Sequence, residues 1–211
     1  MTAPFDPPGR SIGPWFTADM RARKPDWSSL YELALPQAGY FRNVHAAVAG
    51  FSKQLLHKHV VSGRIEHAMR GVYRLAHFPP GDQDELVALW LWSDEVGVFS
   101  HETALALYQL SDALPSRVYM TVPRSWARRS AVPPLVVLHR ADLPESDRTW
   151  IGQVPVTTVG RTLRDAVDAG VDPDLIAQAI TEATARKLIG RADVRGIVPP
   201  GRRPRRARAV A

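Results

Sequence analysis

Between Gly50 and Leu75 the chain sets Lys53, Lys58, Arg64, Arg70 and Arg74 against one acid, Glu66, and interleaves His57, His59 and His67. Three chemistries can use such a run: histidines that hold a metal, a solvated cationic face, or cations that grip a polyanion. The metal reading fails on spacing. His57 and His59 are two residues apart, about 200° around a helix, so they cannot converge on one ion. His59 falls at a core edge, and His57 falls on the outward, basic side.

Other candidates for chemistry are weaker still. Asp82 and Asp84 resemble half of a two-metal carboxylate pair, but no third acid on a strand accompanies them, and they read as linker or helix-capping residues. Glu102, beside His101, suits the first turn of a helix, where a carboxylate meets the positive end of the dipole. No G-x-x-x-x-G-K-[ST] loop, G-x-G-x-x-G fingerprint, H-E-x-x-H or D…E-x-K pattern occurs in the sequence. Zero cysteines remove thiolate chemistry and disulfides together. The expectation is a protein with no cofactor, no metal and no catalytic activity of its own.

Charge along the chain favours the polyanion reading. Residues 28–78 carry a net +4 and residues 197–211 a net +5, whereas residues 79–160 carry a net −4, within a total of +6. Positive charge confined to one block and one tail points to nucleic acid more strongly than a high overall isoelectric point does. Arg124, Arg128 and Arg129 form a smaller basic spot that reads as a solvated loop. Trp90, Trp92, Trp126 and Trp150 read as core or interface anchors.

The elements that must position the basic run follow from caps and periods. "SSLYELALPQ" predicts a short helix opened by a serine, and "NVHAAVAG" a second one stopped at Gly50. Ser52 caps a third that ends near Ser62-Gly63. It turns Leu55, Leu56, His59 and Val60 to one side and Lys53, Gln54, His57, Lys58 and Val61 to the other. "RIEHA" and "VYRL" alternate as strands joined at "MRG", where Gly71 suits a tight hairpin. Helix, helix, turn, helix, hairpin is the winged helix-turn-helix order. Its third helix would enter the major groove N-terminal half first. Ser52, Lys53, Gln54, His57 and Lys58 are then the residues able to reach DNA, with Gln54 able to pair with adenine. Arg64, Arg70 and Arg74 of the hairpin would straddle the neighbouring backbone.

Around this block lie a proline-rich leader (1–27), a second region (79–196) and an arginine-rich tail (197–211) that reads as disordered. In the second region "DQDELVALWLW", "SHETALALYQL", "GRTLRDAVDAG" and "PDLIAQAITEATARKLI" read as helices, and "RVYMTV", "LVVLH" and "VPVTT" as strands. Strands between helical pairs give an α+β class for the whole chain. No apolar stretch approaches the ~20 residues that span a bilayer, and the start lacks the pattern of a signal peptide. The expected location is the cytoplasm, with no membrane partner.

Three stretches resemble the AbiEi antitoxins of bacterial type IV toxin-antitoxin systems. They are the wing ending in "RGVYRL", the "FSHETAL" helix and the "TT…RTLRD" segment, in order within roughly residues 28 to 190. The resemblance implies a transcriptional autorepressor whose N-terminal winged helix, Ser52 to Ser62 with the wing Arg64 to Leu75, binds its own operator. It also implies a C-terminal antitoxin domain that opposes a nucleotidyltransferase-like toxin without a stable complex. "RNVHAAVAG" is less polar than the second helix of that family would be. Some relatives continue into a nuclease-like domain, so this chain is either a short form or a truncated product. The rival reading is an orphan winged-helix regulator or protein-interaction module with no toxin partner.

Overall fold

The structure is a computed structural model that describes residues 24–112, 114–127 and 131–197. Most of the expected leader, the expected tail from residue 198 onward, and Arg128 and Arg129 lie outside the described residues. The chain is mixed α+β and divides into two compact units, the first ending at Glu95 and the second beginning at Val96.

In the first unit, α1 (Trp27–Ala34) starts at Asp26, whose carboxylate accepts hydrogen bonds from the Ser28 backbone N–H and the Ser29 hydroxyl. The cap is therefore two residues before Ser28, the first of the serines expected to supply it. A 3-10 turn, Leu35–Gln37, carries Pro36 where a helix must end, and leads to Gly39 at φ +79°. Gly39 has a second reason to lack a side chain, since a Cβ there would lie 2.4 Å from Phe78 Cγ. The chain then forms β1 (Tyr40–Arg42), α2 (Asn43–Val48) and α3 (Lys53–Val61). Ser52 caps α3 by accepting from the Leu55 N–H at 3.2 Å, and Gly63 at φ +71° follows its end.

Next come β2 (Ile65–Met69) and β3 (Val72–Leu75), paired antiparallel with Gly71 at φ +82° in their turn. β3 lies between β2 and β1 in a three-stranded antiparallel sheet. Leu30, Ala34, Phe41, Ala46, Phe51, Leu56, Ile65 and Leu75 form the core beneath it. α4 (Asp84–Trp92) packs on all three strands. The boundary expected at 78/79 thus falls after α4, because the apolar face of that helix, with Val87 and Leu91 fully buried, closes the first unit.

The second unit is built on a five-stranded mixed sheet in the order β6-β5-β4-β8-β7. Its strands are β4 (Val98–Phe99), β5 (Val118–Val122), β6 (Val136–Arg140), β7 (Arg148–Ile151) and β8 (Val154–Thr157). β5 pairs parallel with β6, and β4 parallel with β8, while β4–β5 and β7–β8 are antiparallel. Its helices are α5 (His101–Tyr108), α6 (Val159–Asp168), α7 (Pro173–Ala185) and α8 (Arg191–Ile197). They share a core of Leu105, Leu110, Leu163, Ala166, Ala179, Ala183 and Ile197. Among the described residues no helix is long and apolar enough to cross a membrane.

Candidate nucleic-acid interface

The amphipathic pattern of α3 decides which side chains can act. Leu56 is buried and Leu55 and Val60 pack against the core, so Lys53, Gln54, His57 and Lys58 face out and are exposed. Ser52 is exposed too, with its hydroxyl held as the cap. No carboxylate interrupts this face, because α3 contains none.

The two histidines of α3 part company. His57 stands on the exposed side. His59 turns inward and packs edge-on against Trp27, at 4.8 Å between ring centroids, and against Phe51 at 5.9 Å. Burial first, then the Arg64 and Lys58 cations, lower its pKa, so it sits neutral against the aromatics. His67 lies on β2 and leans on Tyr73 at 5.2 Å.

Of the cations expected on a wing, Arg64 precedes β2 and Arg70 lies in the hairpin turn, and both are exposed. The Asn43 N–H donates to Gly71 O at 3.2 Å, which ties the start of α2 to that turn. Arg74 is placed differently from the backbone-straddling role expected of it. Its side chain is only 11% exposed, and its guanidinium donates to Phe78 O, Pro79 O and Asp84, each within 3.1 Å. Glu66 adds a looser ion pair at 3.8 Å, and Tyr40 offers its ring face at 5.3 Å. Arg74 therefore anchors the 78–84 segment and neutralises Asp84 rather than facing a ligand. Asp84 is the first residue of α4 and Asp82 is exposed, so the two acids do not act as a pair.

One basic residue of the block was not singled out from its sequence, and the structure also occupies it. Arg42 pairs with Asp94 at 2.5 Å and with Glu95 at 3.1 Å. Buried His45 accepts from the Arg42 N–H through Nδ1 and meets the same Glu95 through Nε2 at 3.1 Å. Burial pushes the Glu95 carboxyl up, but the hydrogen bonds and charges of His45 and Arg42 outweigh it and hold the group below its ordinary value. Asp94 and Glu95 adopt φ +64° and +67°, a left-handed conformation that costs non-glycine residues energy and that the clasp on Arg42 holds in place. A partner more than fifty residues away in sequence leaves no local signal.

The exposed cations of the described first unit are thus Lys24 before α1 and Lys53, Lys58, Arg64 and Arg70 on α3 and the hairpin, with Gln54 and His57 beside the two lysines of α3. Val61, 75% exposed, continues the α3 face and is the residue there that charge does not explain.

The second unit holds a histidine pair instead. His101 and His139 stack at 3.7 Å, with Tyr119 6.0 Å from each. His101 Nδ1 lies 2.9 Å from Ser100 Oγ, which accepts from Thr121 Oγ1 at 2.8 Å. Ser100 thus holds the start of α5 without giving that helix a side-chain cap. Burial, His139 and Arg161 depress the His101 pKa to about 4, so the pair is neutral near pH 7 and suited to packing. Among the described residues no group of three or more His, Asp and Glu is arranged to hold a metal ion.

Comparison with protein-family models and with curated proteins finds no match to this chain.

Proposed function

We propose that the first unit is a winged helix-turn-helix domain that binds double-stranded DNA, and that the protein is a cytoplasmic transcriptional autorepressor. The observation that carries this reading is the acid-free outer face of α3, where Lys53, Gln54, His57 and Lys58 stand together. α2 and α3 supply the helix-turn-helix, and the β2–β3 hairpin with Arg70 in its turn supplies the wing. Lysines and arginines take phosphates, and Gln54 has the two-pronged amide that matches adenine N6 and N7.

The sequence resemblance extends this to an AbiEi-type antitoxin, acting on its own operator and opposing a nucleotidyltransferase-like toxin without a stable complex. That extension rests on "FSHETAL" and "TT…RTLRD" in the second unit. An adjacent reading frame for such a toxin, and rescue of growth when the two are co-expressed, are its tests. No catalysis and no cofactor enter the reading.

The DNA reading is tested by gel shift on the protein's own promoter. Lys53→Ala, Gln54→Ala and Lys58→Ala together should weaken binding by about tenfold or more. Unchanged binding by that triple variant removes α3 from the interface. The rival protein-interaction reading is favoured by Trp27, Tyr31 and Leu35, which leave a partly exposed apolar line along α1 and its end. Under that reading, the promoter fragment is ignored even at low salt.

A further inference from the structure

The outer face of α3 ends on a side chain that neither charge nor the core accounts for. Val61 closes the helix, is 75% exposed, and stands seven residues beyond Gln54, three beyond Lys58 and four beyond His57. Positions three, four and seven apart share one stripe of a helix, so Gln54, His57, Lys58 and Val61 form a single line. A β-branched residue is a poorer helix former than lysine or glutamine, so helix formation does not select it either.

Its surroundings limit what could cover it. Exposed Lys58 lies a turn before it and exposed Arg64 shortly after it. The centre of a protein-protein contact is depleted of charge. The DNA major groove, in contrast, presents an apolar group between rows of phosphates: the C5-methyl of thymine. Gln54 and Val61 are separated by about 10 Å at 1.5 Å per residue, which is about three base pairs.

We propose that Val61 packs on a pyrimidine C5-methyl group in the major groove while Gln54 pairs with an adenine, so that α3 selects A·T pairs near both ends of its reach. This rests on the DNA-binding reading of the first unit and assigns it a chemical preference. Lys53 and Lys58 of the same face supply attraction that ignores sequence. Gln54 and Val61 are its sequence-reading pair.

The test uses the full chain and a duplex selected by it from a randomised pool. Uracil is substituted for thymine one position at a time, which removes only the methyl group. One position should then bind about fourfold more weakly, the worth of one buried methyl-sized group. Val61→Ala, which favours the helix and leaves the core untouched, should bind the thymine and uracil forms of that position alike. A C·G pair placed there, with and without C5-methylation, separates thymine from methylcytosine as the source of the group. If wild-type protein binds every uracil form as tightly as thymine, or if Val61→Ala keeps the difference, the methyl contact is wrong while DNA binding stands. If no duplex is selected at all, the DNA reading fails with it.

Discussion

Arg74 and Lys58 come from the same basic run, yet their surroundings give them opposite work. Arg74 is enclosed by Phe78 O, Pro79 O, Asp84 and the Tyr40 ring, whereas Lys58 is exposed on α3. Truncating Arg74 strands Asp84, a half-buried carboxylate, and two carbonyls. Arg74→Ala should therefore lower unfolding stability by about 1–3 kcal/mol in urea melts. Lys58→Ala should stay within about 0.5 kcal/mol and act on DNA affinity instead. Equal stability of the two variants would mean that the Arg74 network contributes nothing. A second residue-scale expectation concerns His101, 6% exposed, stacked with His139 and Tyr119 and within the field of Arg161. Its folded pKa of about 4 is below the unfolded value of 6.5, so the unfolded chain binds the extra proton as pH falls between them. Stability is complete above about pH 6.5 and declines toward pH 4, by at most about 1.4 kcal/mol per pH unit from this group. His101→Asn should flatten that slope relative to wild type in melts across pH 4–7. Parallel curves for the two proteins would remove His101 from the pH response.

At the scale of elements, what could be read from the sequence depended on whether the signal was local. The order of the three N-terminal helices and the hairpin was legible because Ser52, Gly50, Gly63 and Gly71 mark their ends and the apolar period marks their faces. Pro173 likewise stands at the first position of α7, and the three expected strands of the second region appear as β5, β6 and β8. β1 and β4 have three and two residues, too few to show a period, and exist because β3, β5 and β8 supply their hydrogen bonds. In the site, the outward face of α3 was legible from helical spacing, and the fate of Arg74 was not. Its alternation in "VYRL" matches a wing cation, and only the packing of α4 brings Asp84 against it. Glycines give the element scale its own test. Gly39→Ala meets both φ +79° and the Phe78 ring, and should cost about 2–4 kcal/mol. Gly63→Ala has φ +71° but open space around it, so about 1 kcal/mol is expected. Thermal melts that rank Gly63→Ala as the more damaging would contradict the close approach of Phe78 to the β1 entry.

For the molecule as a whole, the boundary after Glu95 puts α4 in the same compact unit as α3 and the hairpin. A fragment of residues 24–95 should show a cooperative melt by circular dichroism. One of residues 24–78 should not, since it lacks buried Val87 and Leu91, each worth about 1.5–3 kcal/mol, and the acid that pairs Arg74. A unit this small has only about 3–5 kcal/mol from its core to lose. A cooperative melt of the shorter piece would return α4 to the second unit. Charge separates along the same line and gives the last expectation. With Arg74 and Arg42 held by acids, the exposed cations on the described first unit are Lys24, Lys53, Lys58, Arg64 and Arg70; Lys24 lies outside α3 and the hairpin, and the other four are those the DNA reading sets against phosphates. If each of those four displaces one counterion from a phosphate, log affinity of the 24–95 fragment falls against log salt with a slope of about −3.6 per bound chain. Arg202, Arg203, Arg205, Arg206 and Arg208 add up to about −4.5 in the full chain if all five touch phosphates. Arg74→Ala should leave the fragment's slope unchanged, whereas Lys58→Ala should reduce it by about one. A slope that responds to Arg74 as it does to Lys58 would place that guanidinium on the DNA after all, and would require the Asp84 pairing to open on binding.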